Sequence, residues 1–477
     1  MMAEFRVFRT LLMSAALLAS GALAAATPMP QIRGPLPDTA TQGVLVWDVA
    51  GAGYVAEEYL VSGKADVYEP MAMADAGNML LRDNVHDMGQ RDFALKTLQK
   101  AQPYTTRIIV YRPAKPAGFS GNVIVETLHP LGGGTGIVWS MLNSFFIAHG
   151  DAYVAVQHPS TFAGLKGVSE SRYGDLAALD NTQLWGMLAQ IGGMVKGAAT
   201  TSPLNGYAVK RLFMTGYSFT GVSTTTFANW HHAAAKLQDG RNIFDGYLSN
   251  ANSMYNRPVD VPVIRINTQS DFDSFGGLAN RRDDSDTPGS QYRLYEVVGA
   301  AHVTHPVASA RGVKAPVPPR AGVAVANLPD LSAAKCAEQY PQGWKPNLFP
   351  LELVVEATFE NLYRWVSEGV APPHAPRIET TTEGLARKDA DGNAIGGVRL
   401  PTVAVPTATY DVGRGDNCFL FGYQLPFDAS KLKERYGTRA AYVDGVERSA
   451  SKLVQEHWLR PSAADVLRVQ AEAAPYF

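Results

Sequence analysis

The stretch RLFMTGYSFTGVSTTTFANWHH, residues 211–232, changes character in its middle. An apolar run typical of a buried strand leads up to Ser218, and a segment that could form a helix follows it. A strand that turns sharply into a helix exposes one side chain at the edge of a sheet, and here that side chain is a hydroxyl. The alternative interpretation is that Ser218 only caps the helix. Whether Ser218 is a nucleophile or only a helix cap depends on whether other parts of the chain supply catalytic residues to act with it.

A Gly-x-Ser triplet is weak evidence by itself, because the same pattern recurs at residues 167–169 and 221–223. Only Ser218 lies between an apolar strand and a helix, which is the setting of a nucleophile elbow. The tight turn favours glycine at Gly216, and the free N–H groups at the start of the helix favour negative charge nearby. The context therefore favours Ser218 as the candidate nucleophile.

Strand-like and helix-like segments alternate along most of the chain. Several strand candidates are continuous apolar runs rich in Val and Ile, which suits strands covered on both faces. Helical spacing is seen at 184–191 and again after Ser218. This alternation predicts an α/β fold with a mostly parallel central sheet flanked by helices. The strand candidates are YVAEEYLVS, TTRIIVYRPA, NVIVETLHP, AYVAVQHP, VKRLFMTGYS, FDGYLSN, VPVIRINTQS and YRLYEVVGAAH.

The two ends of the chain differ from the middle. Residues 1–24 have arginines before a short apolar run and a small-x-small ending, the pattern of a cleaved secretory signal peptide, with a retained membrane anchor as the alternative. The rest, 25–477, is interpreted as one domain with a core at about 50–305 and a C-terminal extension at about 306–477. Helical spacing at 351–369 and after 431 indicates helices packed on that core.

Composition narrows the function classes. The chain has 477 residues, 46% hydrophobic and 18% charged, with a formal net charge of −2. It lacks the basic excess that nucleic-acid binding generally needs, so a nucleic-acid partner is not expected. No segment after the N-terminal one is apolar enough to cross a bilayer, so stable membrane insertion is not expected.

The mature chain has two cysteines, Cys336 and Cys418. In an exported protein such a pair more often forms a disulfide than a metal site, although two buried free thiols are the alternative. No His-Glu-x-x-His motif and no closely spaced cysteine pair is present, so neither a metal nor another cofactor is expected.

A nucleophilic serine needs a base, and the base needs an acid to orient it. Asp271 ends one apolar strand and His302 ends the next, in the chain order serine, acid, histidine. The sequence therefore predicts a triad of these residues with Ser218. Alternatives remain open for the acid and for the base: Asp273, Asp284 and Asp286 for the first, and His305 for the second.

The oxyanion that forms during acyl transfer needs hydrogen-bond donors. One should be the backbone N–H of Phe219, directly after the nucleophile, and the other should come from the loop in VIVETLHPLGGGTG, residues 123–136. Pro130 has no N–H, so Leu131 is the predicted donor and His129 the alternative. A phosphate cradle is a poor interpretation of this glycine-rich loop, because no lysine follows at P-loop spacing.

The order of these motifs resembles the bacterial alpha/beta hydrolase domain-containing proteins, which have a Gly-Tyr-Ser-x-x-Gly elbow. The resemblance covers nearly all of the mature chain and implies an α/β-hydrolase fold and hydrolysis of carboxylic esters. It places the nucleophile at Ser218, the base at His302 and the acid at Asp271. The motifs are FSGNVIVETLHP, SRYGDL, GYSFTG, FDGYLSN, VPVIRINTQSD, RRDDSD, YRLYEVVGAAH, APPHAPRI and DADGNAIGGVRLP.

Together these observations predict a secreted or periplasmic serine esterase acting on a small-molecule or polymeric ester. Two alternatives stay open: an amidase or lactonase that uses the same triad, and an inactive envelope or binding protein of the same fold. The sequence does not identify the ester or the oligomeric state.

Overall fold

The computed structural model of the protein describes residues 26–37, 48–69, 95–130, 134, 136–197, 199–274, 277–303, 336, 338–413 and 418–474. The predicted signal peptide, 1–24, and the alternative base, His305, lie outside the described residues. All eight predicted strands are present in one sheet of nine, in the order β1-β2-β3-β5-β4-β6-β7-β8-β9. The strands are β1 Gln31–Arg33, β2 Tyr54–Tyr68, β3 Thr97–Pro113, β4 Asn122–Thr127, β5 Ala152–Val156, β6 Arg211–Tyr217, β7 Gly246–Asn250, β8 Val263–Thr268 and β9 Tyr292–Val297.

The sheet has an antiparallel beginning and a parallel remainder. Strands β1, β2 and β3 pair antiparallel, and β3 pairs antiparallel with β5. From β5 through β4 and β6 to β9, every neighbouring pair is parallel. Their carboxyl ends therefore meet at one edge of the sheet, where the loops after β4, β6, β8 and β9 come together. The prediction of a mostly parallel α/β sheet is confirmed.

Helices cover both faces of this sheet. Neighbouring residues of one strand pack into different cores: Phe213 of β6 packs with the helices Ile137–His149 and Leu351–Glu368, whereas Leu212 and Met214 pack with the helix Leu184–Lys196. This explains why the parallel strands are apolar at consecutive positions. The helices are α1 Ile137–His149, α2 Phe162–Val168, α3 Glu170–Tyr173, α4 Leu184–Lys196, α5 Phe219–Thr226, α6 Gln269–Ser274, α7 Leu351–Glu368, α8 Pro401–Ala404, α9 Ala429–Tyr436, α10 Arg439–Gln455 and α11 Pro461–Glu472.

The C-terminal part contributes elements that the sequence patterns did not predict. A small antiparallel sheet has the order β10-β12-β11, with β10 Lys345–Pro346, β11 Ala408–Asp411 and β12 Tyr423–Pro426. Val398 bridges to the end of β9, where its N–H donates to the Glu296 carbonyl at 2.7 Å. The predicted disulfide is present: Cys336 and Cys418 are bonded, with Cα atoms 5.4 Å apart.

Candidate active site

Ser218 occupies a sharp turn between β6 and α5, with φ 57° and ψ −123°. A non-glycine residue with positive φ is strained, and such strain is typical of functional turns. Glycine is required on both sides of it. A Cβ on Gly216 would overlap the Thr220 carbonyl, and one on Gly221 would overlap the Asn250 carbonyl. The two glycines therefore let the backbone fold tightly enough to present the serine hydroxyl.

Thr220 stabilises this turn, in which the second glycine, Gly221, comes three residues after Ser218. Its hydroxyl donates to the Tyr217 carbonyl and accepts from the Tyr217 N–H, both at 3.0 Å. Thr220 is fully buried, so these bonds are protected from water. The threonine thus fixes the turn through its side chain, and the elbow accepts it without a glycine at that position.

His302 lies against the nucleophile at the same edge of the sheet. Its Nε2 is 2.7 Å from the Ser218 Oγ, and the residue is buried. Its backbone is held from two sides, because its N–H donates to the Ser270 hydroxyl at 3.0 Å and its carbonyl accepts from the Tyr217 hydroxyl at 2.6 Å. The imidazole is therefore placed by the ends of three different strands.

Asp271 completes the hydrogen-bonded series. Its Oδ1 is 2.7 Å from the Nδ1 of His302, so the other ring nitrogen is left to face Ser218. Its Oδ2 accepts from the Thr268 N–H and the Thr268 hydroxyl, both at 2.7 Å. A carboxylate bound on both oxygens cannot rotate, so it fixes the orientation of the imidazole ring. The structure brings together the three residues that the sequence singles out.

The alternative acids are engaged elsewhere. Asp273 accepts from the Gln269 side chain at 3.4 Å and from the Ala386 N–H at 3.3 Å. Asp284 pairs with Arg377 at 2.6 Å, and Asp286 pairs with the buried Arg293 at 2.5 Å. The described contacts thus join only Asp271, of the four candidates, to His302.

The structure describes one of the two predicted oxyanion donors, Phe219. Phe219 is the first residue of α5, so its backbone N–H is one of those left free at the helix start. Its ring contacts the rings of His129 and His158, with centroids 6.1 and 5.2 Å apart. Leu131, the second predicted donor, lies outside the described residues.

His129 and His158 are kept neutral by their surroundings. Burial, followed by the nearby His302 and His158, lowers the pKa of His129 to about 3. Burial lowers the pKa of His158 to about 4. His232 is a further buried histidine, with its Nδ1 2.7 Å from the Tyr247 hydroxyl and its Nε2 in contact with Asp260. The rings of His129 and His158 thus pack beside Phe219, whereas His232 is held by Tyr247 and Asp260.

Glu126 is a buried acid that sequence reasoning missed. It accepts from the N–H groups of Val138 and Trp139 at 2.9 and 3.2 Å and from the Tyr153 hydroxyl. It therefore caps α1 in place of Gly136, which has no side chain to do so. Burial raises the pKa of this carboxyl to about 8. The sequence signal for such a residue was a glutamate within the apolar strand NVIVET, because buried acids are rarely left without a partner for their charge or hydrogen bonds.

Two further observations concern the described residues as a whole. Over the described ranges, no helix is long and apolar enough to cross a membrane. Within the same part of the chain, no three His, Cys, Asp or Glu side chains are grouped so that they could hold a metal ion.

Comparison with solved structures gives distant matches to hydrolases. A serine hydrolase without a lid from Xanthomonas campestris is 16% identical, with 40% of this chain and 78% of that chain covered and a TM-score of 0.26. A poly(3-hydroxybutyrate) depolymerase from Bordetella parapertussis is 12% identical, covering 44% and 83%, with a TM-score of 0.28. An esterase from Thermogutta terrifontis is 12% identical, covering 40% and 77%, with a TM-score of 0.26.

The sequence itself gives the family. No curated protein matches the chain. The family profile described as an alpha/beta hydrolase domain matches residues 25–468, nearly the whole chain after the predicted signal peptide. The elbow, the strand order and this match agree, and the chain therefore belongs to the alpha/beta hydrolase family.

Proposed function

We propose that this protein is a serine hydrolase that cleaves carboxylic esters, with Ser218 as the nucleophile, His302 as the base and Asp271 as the acid that orients it. One observation carries the proposal: the series Ser218 Oγ, His302 Nε2, His302 Nδ1, Asp271 Oδ1 has two contacts of 2.7 Å each and begins on a strained elbow. A serine that only capped a helix would need neither an imidazole nor a positive φ.

The chemistry follows from this arrangement. The Ser218 oxygen attacks the ester carbonyl while His302 accepts its proton, and the resulting imidazolium is stabilised by Asp271. The tetrahedral oxyanion accepts hydrogen bonds from the N–H of Phe219 and from a second donor, for which we propose Leu131. His302 then protonates the leaving alcohol, and an acyl-enzyme remains on Ser218. Water, deprotonated by His302, releases the acid and restores the hydroxyl.

We also propose that residues 1–24 direct export to the periplasm or the medium and are then removed. The disulfide between Cys336 and Cys418 supports this location, because such bonds persist in oxidising compartments. Expression with the full N-terminus, followed by N-terminal sequencing of the exported protein, tests it. The expected first residue is Ala25, whereas an intact N-terminus in the cytoplasmic fraction would contradict it.

A panel of p-nitrophenyl esters of graded acyl length tests the activity. The comparison includes Ser218→Ala and, as a matched control, Ser169→Ala, which alters another Gly-x-Ser serine outside the site. We expect hydrolysis by the natural protein and by the control, and a loss of at least about 10³-fold in kcat for Ser218→Ala. Anilide and lactone analogues in the same panel test the amidase and lactonase alternatives.

The outcomes separate the alternatives. Hydrolysis that survives Ser218→Ala would exclude Ser218 as the nucleophile. Faster cleavage of anilides or lactones than of any ester would replace the esterase proposal with one of the other hydrolases on the same triad. No cleavage of any substrate, with no labelling by a fluorophosphonate, would favour the inactive binding protein.

A further inference from the structure

The residue after the proposed catalytic base is hydrogen-bonded to the C-terminal part of the chain. The N–H of Val303 donates to the carbonyl of Leu420 at 2.6 Å. Leu420 ends a single turn of 3-10 helix, Cys418–Leu420, which begins at one of the two cysteines. The backbone that carries His302 is therefore tied to a segment more than a hundred positions further along the chain.

The same turn contacts the residue before His302. Gly422 has φ 55°, and a Cβ placed on it would lie 3.0 Å from the Cβ of Ala301 and 2.6 Å from the Asp411 carbonyl. Contacts this close leave no room for a side chain, so the turn packs directly on Ala301. Residues on both sides of His302 thus touch the segment 418–422.

The turn is itself held by the disulfide and its neighbours. Cys418 is bonded to Cys336, and both are buried. The carbonyl of Cys418 accepts from the Tyr340 hydroxyl at 2.9 Å and from the N–H groups of Phe421 and Gly422 at 3.2 and 3.1 Å. The Tyr340 ring packs edge-on against Trp344, with centroids 5.0 Å apart. The covalent link therefore lies at the centre of a small buried cluster.

We propose that the Cys336–Cys418 disulfide is a positioning element of the active site, which holds His302 against Ser218 through the Leu420 carbonyl. The inference rests on the proposed function, since it assigns the disulfide a part in placing the catalytic base. Ser270 and Tyr217 hold the backbone of His302 from the side of the sheet. The disulfide-bonded turn holds it from the C-terminal side, so the base is clamped between the two.

This arrangement predicts an effect on the chemical step. Displacing a catalytic group by about 1 Å can cost roughly 10²-fold in rate. Without the covalent link, the turn is held by hydrogen bonds and packing alone, and the bond between Val303 and Leu420 opens more often. The imidazole then spends less time within reach of Ser218. The loss should fall on kcat, because the described contacts of the segment 418–422 are with the residues on both sides of the catalytic base.

The first test compares the natural protein with the double variant Cys336→Ala and Cys418→Ala, which leaves no free thiol. Both are assayed on a p-nitrophenyl ester at least about 15 °C below their melting temperatures, so that the folded fraction is the same. We expect kcat to fall by about tenfold or more, KM to stay within about threefold, and the rate of fluorophosphonate labelling to fall in parallel with kcat.

A milder variant covers the case in which the double variant does not fold. Tyr340→Phe removes only the hydroxyl that bonds the Cys418 carbonyl and keeps the disulfide. Its matched control is Tyr436→Phe, which removes a hydroxyl that bonds the Pro406 carbonyl at 2.8 Å rather than the disulfide-bonded turn. We expect kcat to fall by about two- to fivefold for Tyr340→Phe, with KM unchanged, and no change in kcat for the control.

The results separate this inference from the proposed function. If the natural protein hydrolyses esters and Ser218→Ala does not, the function stands. In that case a double variant that folds with kcat within about twofold of the natural value overturns the role of the disulfide, as does an unchanged kcat for Tyr340→Phe if the double variant does not fold. A natural protein that neither hydrolyses esters nor reacts with the fluorophosphonate overturns the function itself, and the inference with it.

Discussion

The hydroxyl of Tyr217 donates a 2.6 Å hydrogen bond to the backbone carbonyl of His302. Tyr217 precedes the proposed nucleophile, so one side chain joins the elbow directly to the residue that carries the base. The ring is buried, and burial, followed by the nearby Asp271, raises the pKa of its hydroxyl well above the usual value. The Tyr217 hydroxyl therefore keeps its proton, and stays a hydrogen-bond donor, at neutral pH.

Removing this hydroxyl should slow catalysis. In Tyr217→Phe the His302 carbonyl loses a buried hydrogen-bond donor. Such a bond is worth about 1–1.5 kcal/mol, which is roughly tenfold in the equilibrium between the placed and the displaced positions of His302. We expect kcat to fall by about five- to twentyfold with KM little changed, measured by steady-state hydrolysis. Tyr295→Phe is the control, because its hydroxyl bonds the Pro373 carbonyl at 2.9 Å. Equal kinetics for both variants would show that Tyr217 does not act through His302.

The identity of the acid can be tested directly. Asp271→Asn removes the charge that pairs with Nδ1 of His302 and favours the wrong tautomer of the ring, which should lower kcat by about 10⁴-fold near neutral pH. Asp273→Asn is the matched control, since the described bonds of Asp273 are to Gln269 and to the Ala386 N–H, and the kcat of this variant should stay within about threefold of the natural value. A larger loss for Asp273→Asn than for Asp271→Asn would reverse the assignment.

The elbow glycines should be irreplaceable for stability. In Gly216→Ala the new methyl group overlaps the Thr220 carbonyl, so we expect a loss of more than about 3 kcal/mol in the free energy of unfolding, or no folded protein. Gly164→Ala is the contrast, because Gly164 lies in α2 with nothing within 4 Å of an added Cβ. For Gly164→Ala we expect the free energy of unfolding to rise by up to about 1 kcal/mol. Urea denaturation of both variants checks the pair, and a fully stable Gly216→Ala would contradict the described turn.

Buried histidines should make the protein sensitive to acid. Burial lowers the pKa of His231 to about 3, well below the usual value of about 6.5 for histidine. Below pH 6.5 the unfolded chain binds a proton at this residue while the folded protein does not, so stability is lost as the pH falls toward the folded pKa. Between pH 6.5 and 5 the loss is about 1.6 kcal/mol, because the residue in the unfolded chain is already half protonated at pH 6.5.

The variant His231→Phe isolates this contribution. The difference in unfolding free energy between the natural protein and the variant, measured by urea denaturation at several pH values, cancels the other titrating groups. We expect this difference to change by about 1.6 kcal/mol between pH 6.5 and 5, in favour of the variant at the lower pH. A difference that does not depend on pH would show that His231 titrates normally in the folded protein.

Local patterns predicted the strands well, because each parallel strand is buried on both faces and is therefore a continuous apolar run. They predicted a mostly parallel sheet, but not which strands are neighbours in it. The 31–33 strand and the pairing of β10, β11 and β12 depend on segments far apart in the sequence, and short strands such as Lys345–Pro346 have no period to detect. The antiparallel beginning of the sheet was missed for the same reason.

The sequence likewise predicted only part of the candidate site. Ser218, Asp271 and His302 could be located because each follows a strand, and parallel strands deliver their ends to one edge. The sequence left four candidates for the acid, because only the helix α6, Gln269–Ser274, determines which carboxylate reaches the imidazole ring. The supporting bonds from Tyr217, Ser270 and Leu420 had no signal in the sequence, because buried polar contacts depend on the packing of the whole fold.

Treatment with a fluorophosphonate, followed by mass spectrometry of the intact protein and its peptides, tests the central claim most directly. The account predicts one adduct per chain on the peptide that contains Ser218, and labelling slowed by at least about 10²-fold in His302→Ala. An adduct on a different residue, or labelling of Ser218 at an unchanged rate without the imidazole, would contradict it.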